Sequence, residues 1–196
     1  ASYNRTYQYI HLISNTITPS PTDIWKLSDR YISPTRTDHS SIGVYKNFQQ
    51  NQWESFVDIF YKDIRITILY KNGDALLFND NIESELISAD AIAYGLEFFL
   101  KRNTGKTNGW ISYTLSRAER RTITDFPEEQ INNGGFFPDN NDKTHDLSIV
   151  LLHQVSERLS FSSSLNYSTG RPITLPVGKY TFEGNPIPHF EGRNRS

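Results

Sequence analysis

The chain contains neither cysteine nor methionine among its 196 residues. Without cysteine there is no disulfide framework, no thiolate metal site and no cysteine nucleophile. Without methionine there is no initiator, so the chain is expected to be a processed product or a fragment. Long apolar runs are also missing, the longest aliphatic one being Ile149 to Leu152. A transmembrane helix needs about 18 or more apolar residues in succession, so crossing by helices is excluded. No cationic stretch followed by an apolar run opens the chain, and no signal peptide is expected in it. The net charge is only -2 and the pI near 6.2. That balance argues against a strongly basic nucleic-acid surface, and no nucleic-acid partner is expected.

What is present is aromatic. Phe, Tyr and Trp make up 13% of the chain, led by 12 Phe and 11 Tyr. Abundant Tyr and Phe, few aliphatics and many Ser, Thr and Asn suggest β structure with one greasy and one wet face.

Period-2 alternation carries this reading furthest. Leu159, Phe161, Leu165 and Tyr167 alternate with Ser160, Ser162, Ser164, Asn166 and Ser168. Successive strand residues point to opposite faces, so one face is apolar and the other small and polar. Ile92, Tyr94, Leu96, Phe98 and Leu100 oppose Ala91, Ala93, Gly95 and Glu97, while Ile111, Tyr113 and Leu115 oppose Ser112, Thr114 and Ser116. Val57, Ile59 and Tyr61 oppose Asp58 and Lys62, with Phe56 and Phe60 on the polar side. The pattern predicts seven strands, at about 2–12, 38–48, 53–69, 90–102, 109–121, 143–155 and 158–170. Most are longer than the usual mode of about 5–6 residues, and long enough for the roughly 9–11 residues of a tilted membrane-spanning strand.

The connections alternate in length. Short turns are expected at Gln49–Gln52, Asn103–Asn108 and Ser156–Glu157, long loops at about 13–37, 70–89 and 122–142, and a polar tail from Arg171. Short turns on one side and long loops on the other are the layout of an outer-membrane barrel. All nine prolines fall in the long connections or the tail, away from the expected strands. Trp53 and Trp110 closely follow short turns and are expected at one water–lipid boundary, with Tyr7, Tyr9 and Tyr167 in the opposite girdle. Leu96, Phe98, Tyr113, Leu115, Phe161 and Leu165 are expected to face lipid. Gln50, Gly105 and Glu157 would then be periplasmic, and Asp23, Asn79 and Asn133 outside.

The run Ala91-Ile92-Ala93-Tyr94-Gly95-Leu96-Glu97-Phe98-Phe99-Leu100-Lys101-Arg102, with Thr104-Gly105-Lys106 and Gly109-Trp110-Ile111-Ser112-Tyr113-Thr114-Leu115-Ser116 after it, resembles a hairpin of TonB-dependent outer-membrane receptors of the Bacteroidetes. Thr144-His145-Asp146-Leu147-Ser148 and Tyr167-Ser168-Thr169-Gly170-Arg171-Pro172 resemble further marks of that family, in order along the chain. The resemblance implies a 22-stranded antiparallel barrel, plugged by an N-terminal domain, that imports a scarce nutrient or metal chelate with energy from TonB. No plug domain, TonB-contact segment or closing C-terminal strand is read here. The resemblance therefore implies an internal piece of a larger receptor, with about seven strands and all of 1–196 in the barrel domain. Its implied partners are outer-membrane lipid and lipopolysaccharide, TonB through the plug domain, an unidentified small ligand and a surface lipoprotein.

No catalytic, cofactor or metal residues are expected. Gly105-Lys106-Thr107 imitates the end of a phosphate-binding loop, but Leu100 stands where that motif needs Gly, and a strand follows. Asp139-Asn140-Asn141-Asp142 imitates a calcium loop but has Lys143, Thr144 and Val150 at its fifth, sixth and twelfth positions. His145 and Asp146 with Ser148 or Ser164 are the residue types of a hydrolytic triad, without the Gly-x-Ser-x-Gly elbow. His153 is expected to be interfacial. Arg117, Glu119, Arg120 and Arg121 fit either contact with anionic lipopolysaccharide or a strand extension laced by salt bridges. Besides the receptor segment, two other readings stay open: an outer-membrane barrel hydrolase, and a soluble β-rich binding or adhesion module.

Overall fold

The computed structural model describes residues 1–13, 24–70, 86–182, 185–189 and 192–194. The protein is all-β and antiparallel. Its main sheet orders β1 (Ser2–Gln8), β4 (Thr35–Phe48), β5 (Trp53–Tyr70), β6 (Leu86–Arg102), β7 (Thr107–Thr122), β9 (His145–Ser156) and β10 (Leu159–Ser168) side by side. The two-residue β8 (Phe137–Pro138) pairs with the upper part of β7, above the reach of β9. Two hairpins stand apart: β2 (Ile10–Ile13) with β3 (Ile24–Leu27), and β11 (Gly178–Phe182) with β12 (Asn185–His189).

Six of the seven expected strands correspond to β4, β5, β6, β7, β9 and β10. The first is a correction. Residues 2–12 are not one strand, because the chain leaves the main sheet at Tyr9 and starts β2, whose partner is β3. Three expected irregular stretches hold strands as well: β3 lies in the 13–37 connection, β8 in the 122–142 connection, and β11 and β12 in the tail. Three prolines consequently sit in strands, Pro138 in β8 and Pro186 and Pro188 in β12. All are in short peripheral strands, where a missing N–H is tolerated.

Three tight connections lie on one edge of the sheet. The first runs through Gln49, Gln50 and Asn51, all at positive φ (52°, 55° and 65°). The second contains Gly105 at φ 99°, and the third joins Ser156 to Leu159. The 122–142 connection lies on the other edge, with two short 3₁₀ turns. Near that edge β5 carries a bulge, where Arg65 and Ile66 together oppose Asp90. Ile66 there has φ 59°, an uncommon conformation for a β-branched residue.

The conventional core is small. Leu69, Ala89, Ile131 and Phe137 form one buried cluster, at the long-loop edge. The bulge reverses the alternation of β5, which turns Leu69 toward Ala89's face, and Thr122 Oγ1 accepts the Ile131 N–H at 3.2 Å. A second cluster packs Ile13 of β2 against Tyr70 and Leu86 at the same edge, and among the described residues the rest of the main sheet is a single layer.

Candidate functional site

Directly paired residues of an antiparallel sheet share a face, so the register sorts every side chain. One row runs Val44, Val57, Phe98, Tyr113, Leu147, Tyr167. A second runs Ile42, Ile59, Leu96, Leu115, His145 on the same face. Leu165 pairs with Ile149, which pairs with Ile111, and Phe161 pairs with His153. The six residues expected to face lipid therefore share one face. Nothing among the described residues covers it: Val44 is 72% exposed, Ile59 55% and Leu165 55%.

This apolar face is a band running obliquely across the strands, narrowest on β7, where it spans Ile111 to Leu115. On β5 it extends from Trp53 to Tyr61, and on β10 from Leu159 to Tyr167. Both spans are eight residue steps, about 27 Å of strand. The β10 span is displaced by four pairing rows relative to β5, since Tyr167 lies in the row of Val57 rather than of Tyr61. The tight turns descend in the same sense: Phe48 faces Trp53 at the first, while the third lies beyond the row of Thr107, His153 and Phe161. The offset is about one residue per strand. At about 3.4 Å per residue and 4.8 Å between strands, it corresponds to a slope of about 35°.

Above the band the same face turns ionic. Arg5 and Arg36 hold Asp38 at 2.6 and 3.3 Å. Arg65 and Arg121 share Asp90 at 3.1 and 3.4 Å. Arg117 reaches Asp142 at 3.2 Å and Glu119 at 3.5 Å, and Arg120, on the other face, pairs with Asp139. Each arginine of the cluster Arg117, Glu119, Arg120 and Arg121 thus has a carboxylate partner, mostly from outside the cluster. The calcium-like loop is occupied in the same way. Asp139 Oδ1 accepts the Asn141 N–H, Asp142 Oδ1 accepts the Ala118 N–H, and their remaining oxygens take the arginines. Among the described residues no cluster is suited to hold a metal ion.

The opposite face carries Ser160, Ser162, Ser164, Asn166 and Ser168, as the alternation implied, together with Phe56 and Phe60. It also carries a stripe that the alternation left unremarked. Tyr45 pairs with Phe56 and Phe56 with Phe99, whose ring centroids are 5.2 Å apart, and Trp110 stacks diagonally on Phe99 at 6.2 Å. Asp58 directly faces Glu97 on this face, with no ion pair to either among the described residues.

Trp110 is a correction to the expected girdle. Trp53 pairs with Arg102, which pairs with Gly109; Trp110 is one residue further and pairs with Lys101. It therefore lies on the polar face, opposite Trp53. The tyrosine girdle is also redrawn. Tyr61 and Tyr94 pair with each other on the apolar face and were not singled out, while Tyr7 pairs with Arg36 in the ionic zone. Tyr9 lies in the break between β1 and β2, and Tyr167 ends the apolar band on β10. Asn133 lies on the edge opposite to Gln50, Gly105 and Glu157, while Asp23 and Asn79 fall outside the described residues.

The hydrolase constellation is not assembled. His145 lies on the apolar face with Nδ1 2.8 Å from the Tyr113 hydroxyl. Ser148 lies on the polar face, donating to Asn166 Oδ1 at 2.9 Å, and Ser164 shares that face. His153 Nδ1 lies 2.8 Å from the Thr107 hydroxyl beside a tight turn. In the β2–β3 hairpin, burial pushes the His11 imidazole down from its ordinary range, and its Nε2 lies 2.9 Å from the Ser28 hydroxyl. The N–H groups of Tyr31 and Ile32 lower the Asp29 carboxyl.

No helix among the described residues is long and apolar enough to cross a membrane, a statement that leaves crossing by strands open. Compared with known proteins, the chain matches no family model, no curated protein and no solved structure.

Proposed function

We propose that this chain is a seven-strand arc of the wall of a transmembrane β-barrel in a Gram-negative outer membrane. The observation that carries the reading is the slanted apolar band, uncovered among the described residues. Its 27 Å of strand, tilted by the same angle of about 35°, stands about 22 Å high, near the roughly 25 Å apolar band of outer-membrane barrels. Its slope matches the tilt of about 35–45° that barrel closure requires. A soluble monomer would gain nothing from it. Full burial of one large apolar side chain is worth about 1.5–3 kcal/mol. Leaving a face of them half in water would forfeit an amount comparable with an entire net stability of about 5–15 kcal/mol.

Within that reading, the motif resemblance favours a TonB-dependent receptor of the Bacteroidetes type. The segment supplies wall and external loops to a barrel of 22 strands, carries no catalysis, and serves import of a small ligand. The apolar face meets lipid, and the polar face looks into the lumen.

The test is fractionation of cells expressing the complete reading frame with an epitope tag in the 122–142 loop. Recovery in the outer-membrane fraction, resistant to alkaline extraction, is expected. Recovery in a soluble fraction would overturn the barrel and favour a β-rich binding module.

A further inference from the structure

The two borders of the apolar face differ in their ion pairing. At the long-loop border every arginine of that face has a carboxylate partner. At the tight-turn border Arg102 has none among the described residues, and its Nε is buried without a hydrogen-bond partner. Its guanidinium sits 5.5 Å from the Trp53 ring centre, and Trp53 in turn stacks on Phe48 at 6.0 Å with the planes 4° apart. Lys46, on the same face and two residues before Phe48, also lacks an ion pair among the described residues.

Beside Arg102 the sheet is dented. The residue paired with it is Gly109, whose φ of 148° L side chains rarely adopt and whose added Cβ would collide with the Val150 carbonyl oxygen of the neighbouring strand. A hollow of about 180 Å³ lies beside Gly109, lined by Trp53, Leu100, Arg102, Ile111, Ile149 and Leu151. An unpaired cation thus lies between an indole on one side and the apolar hollow at Gly109 on the other, all in one pairing row.

We propose that this place binds one anionic phospholipid, with its phosphate on Arg102, its ester region against Trp53 and an acyl chain in the hollow above Gly109. A guanidinium offers five N–H donors and suits a phosphate's oxygens. Amphipathic aromatics settle at the headgroup level, and the hollow has the apolar walls that a hydrocarbon chain fills. This rests on the reading that the apolar face meets lipid.

The test introduces Leu151→p-benzoylphenylalanine, a photo-crosslinker in the wall of the hollow, into the complete protein in vesicles of equimolar phosphatidylcholine and phosphatidylglycerol. Crosslinked phosphatidylglycerol should exceed phosphatidylcholine by about five-fold, the preference one basic side chain supplies at an anionic lipid surface. Arg102→Gln should bring the ratio to the mole ratio of the vesicles, and Arg102→Lys should retain most of it. Crosslinking in proportion to lipid content with Arg102 intact would overturn the phospholipid site and leave the lipid-facing reading standing. Absence of any lipid crosslink would overturn both.

Discussion

Phe56 and Phe99 face each other across β5 and β6 with ring centroids 5.2 Å apart and planes inclined by 19°. With Tyr45, Phe60 and Trp110 they sit on the face that otherwise carries serine, asparagine and charge. Aromatic pairs contribute beyond the area they bury, by about 0.5–1.5 kcal/mol. A double-mutant cycle with Phe56→Ala and Phe99→Ala should return a coupling in that range. The same cycle with Phe56→Ala and Phe98→Ala should return close to zero, because Phe98 points to the other face. Equal couplings would mean that the register assigns the faces wrongly.

Leu165 and Ser164 are neighbours in β10 on opposite faces. Leu165→Arg places a guanidinium on the apolar face, at a cost of about 2–4 kcal/mol near a bilayer midplane. Ser164→Arg points to the polar face, and its cost should be much smaller. The measurement is the folding free energy of the two variants in vesicles, repeated for Phe161→Arg and Ser162→Arg. A reversed order in both pairs would indicate a slip of one residue, which turns every side chain over.

The absence of cysteine permits single-site labelling. Thr104→Cys lies in a tight turn and Asn133→Cys in the long connection on the opposite edge, both exposed. Thr104 is preferred to its neighbour Gly105, whose φ of 99° disfavours a side chain. An impermeant maleimide added to intact cells should label position 133 and spare position 104. Labelling at 104 with protection at 133 would invert the proposed topology.

Burial holds the His11 imidazole below its ordinary range. Above a pH of about 6.5 the ring is neutral in both folded and unfolded chains and contributes no pH dependence. As the pH falls through that value the unfolded chain takes up the proton first, so the β2–β3 hairpin loses stability. The loss levels off once the pH lies below the folded value. Amide exchange at Leu12, which pairs with Trp25, should show less protection at about pH 5.5 than at about pH 7.5, after correction for intrinsic rates. His11→Gln should abolish the difference. Equal protection in the parent chain would refute this effect.

Much of the main sheet was legible because alternation is a local signal. Six strands and both faces follow from apolar residues two apart. Trp110 was misplaced although the same signal contained the answer. Ile111, Tyr113 and Leu115 fix one parity and Trp110 has the other, but nearness to a turn governs depth along the strand and says nothing of face. The bulge at Arg65–Ile66 left no mark, since Trp53–Tyr70 reads as unbroken strand and a bulge depends on the opposing Asp90. The clasp formed by Arg193 and Asn194 was equally hidden. Arg193 exchanges hydrogen bonds with Asn132, and Asn194 donates to the Pro138 carbonyl at 2.8 Å. Those partners are more than fifty residues apart in the chain, beyond the reach of any periodicity.

The slant of the sheet makes its two borders, unpaired among the described residues, unlike sockets. β1 offers its outer backbone groups in rows that start above Val44, from Ser2 opposite Ser41 up to Gln8 opposite Thr35. β10 offers its own from Ser168 down to Leu159, mostly beneath that level. A strand joining β1 must approach high, and one joining β10 must approach low. Two copies of this sheet brought edge to edge at equal height would find their donors and acceptors out of step. The slant thus acts as a key against pairing with the wrong neighbour, and it grows by about one residue with each strand added.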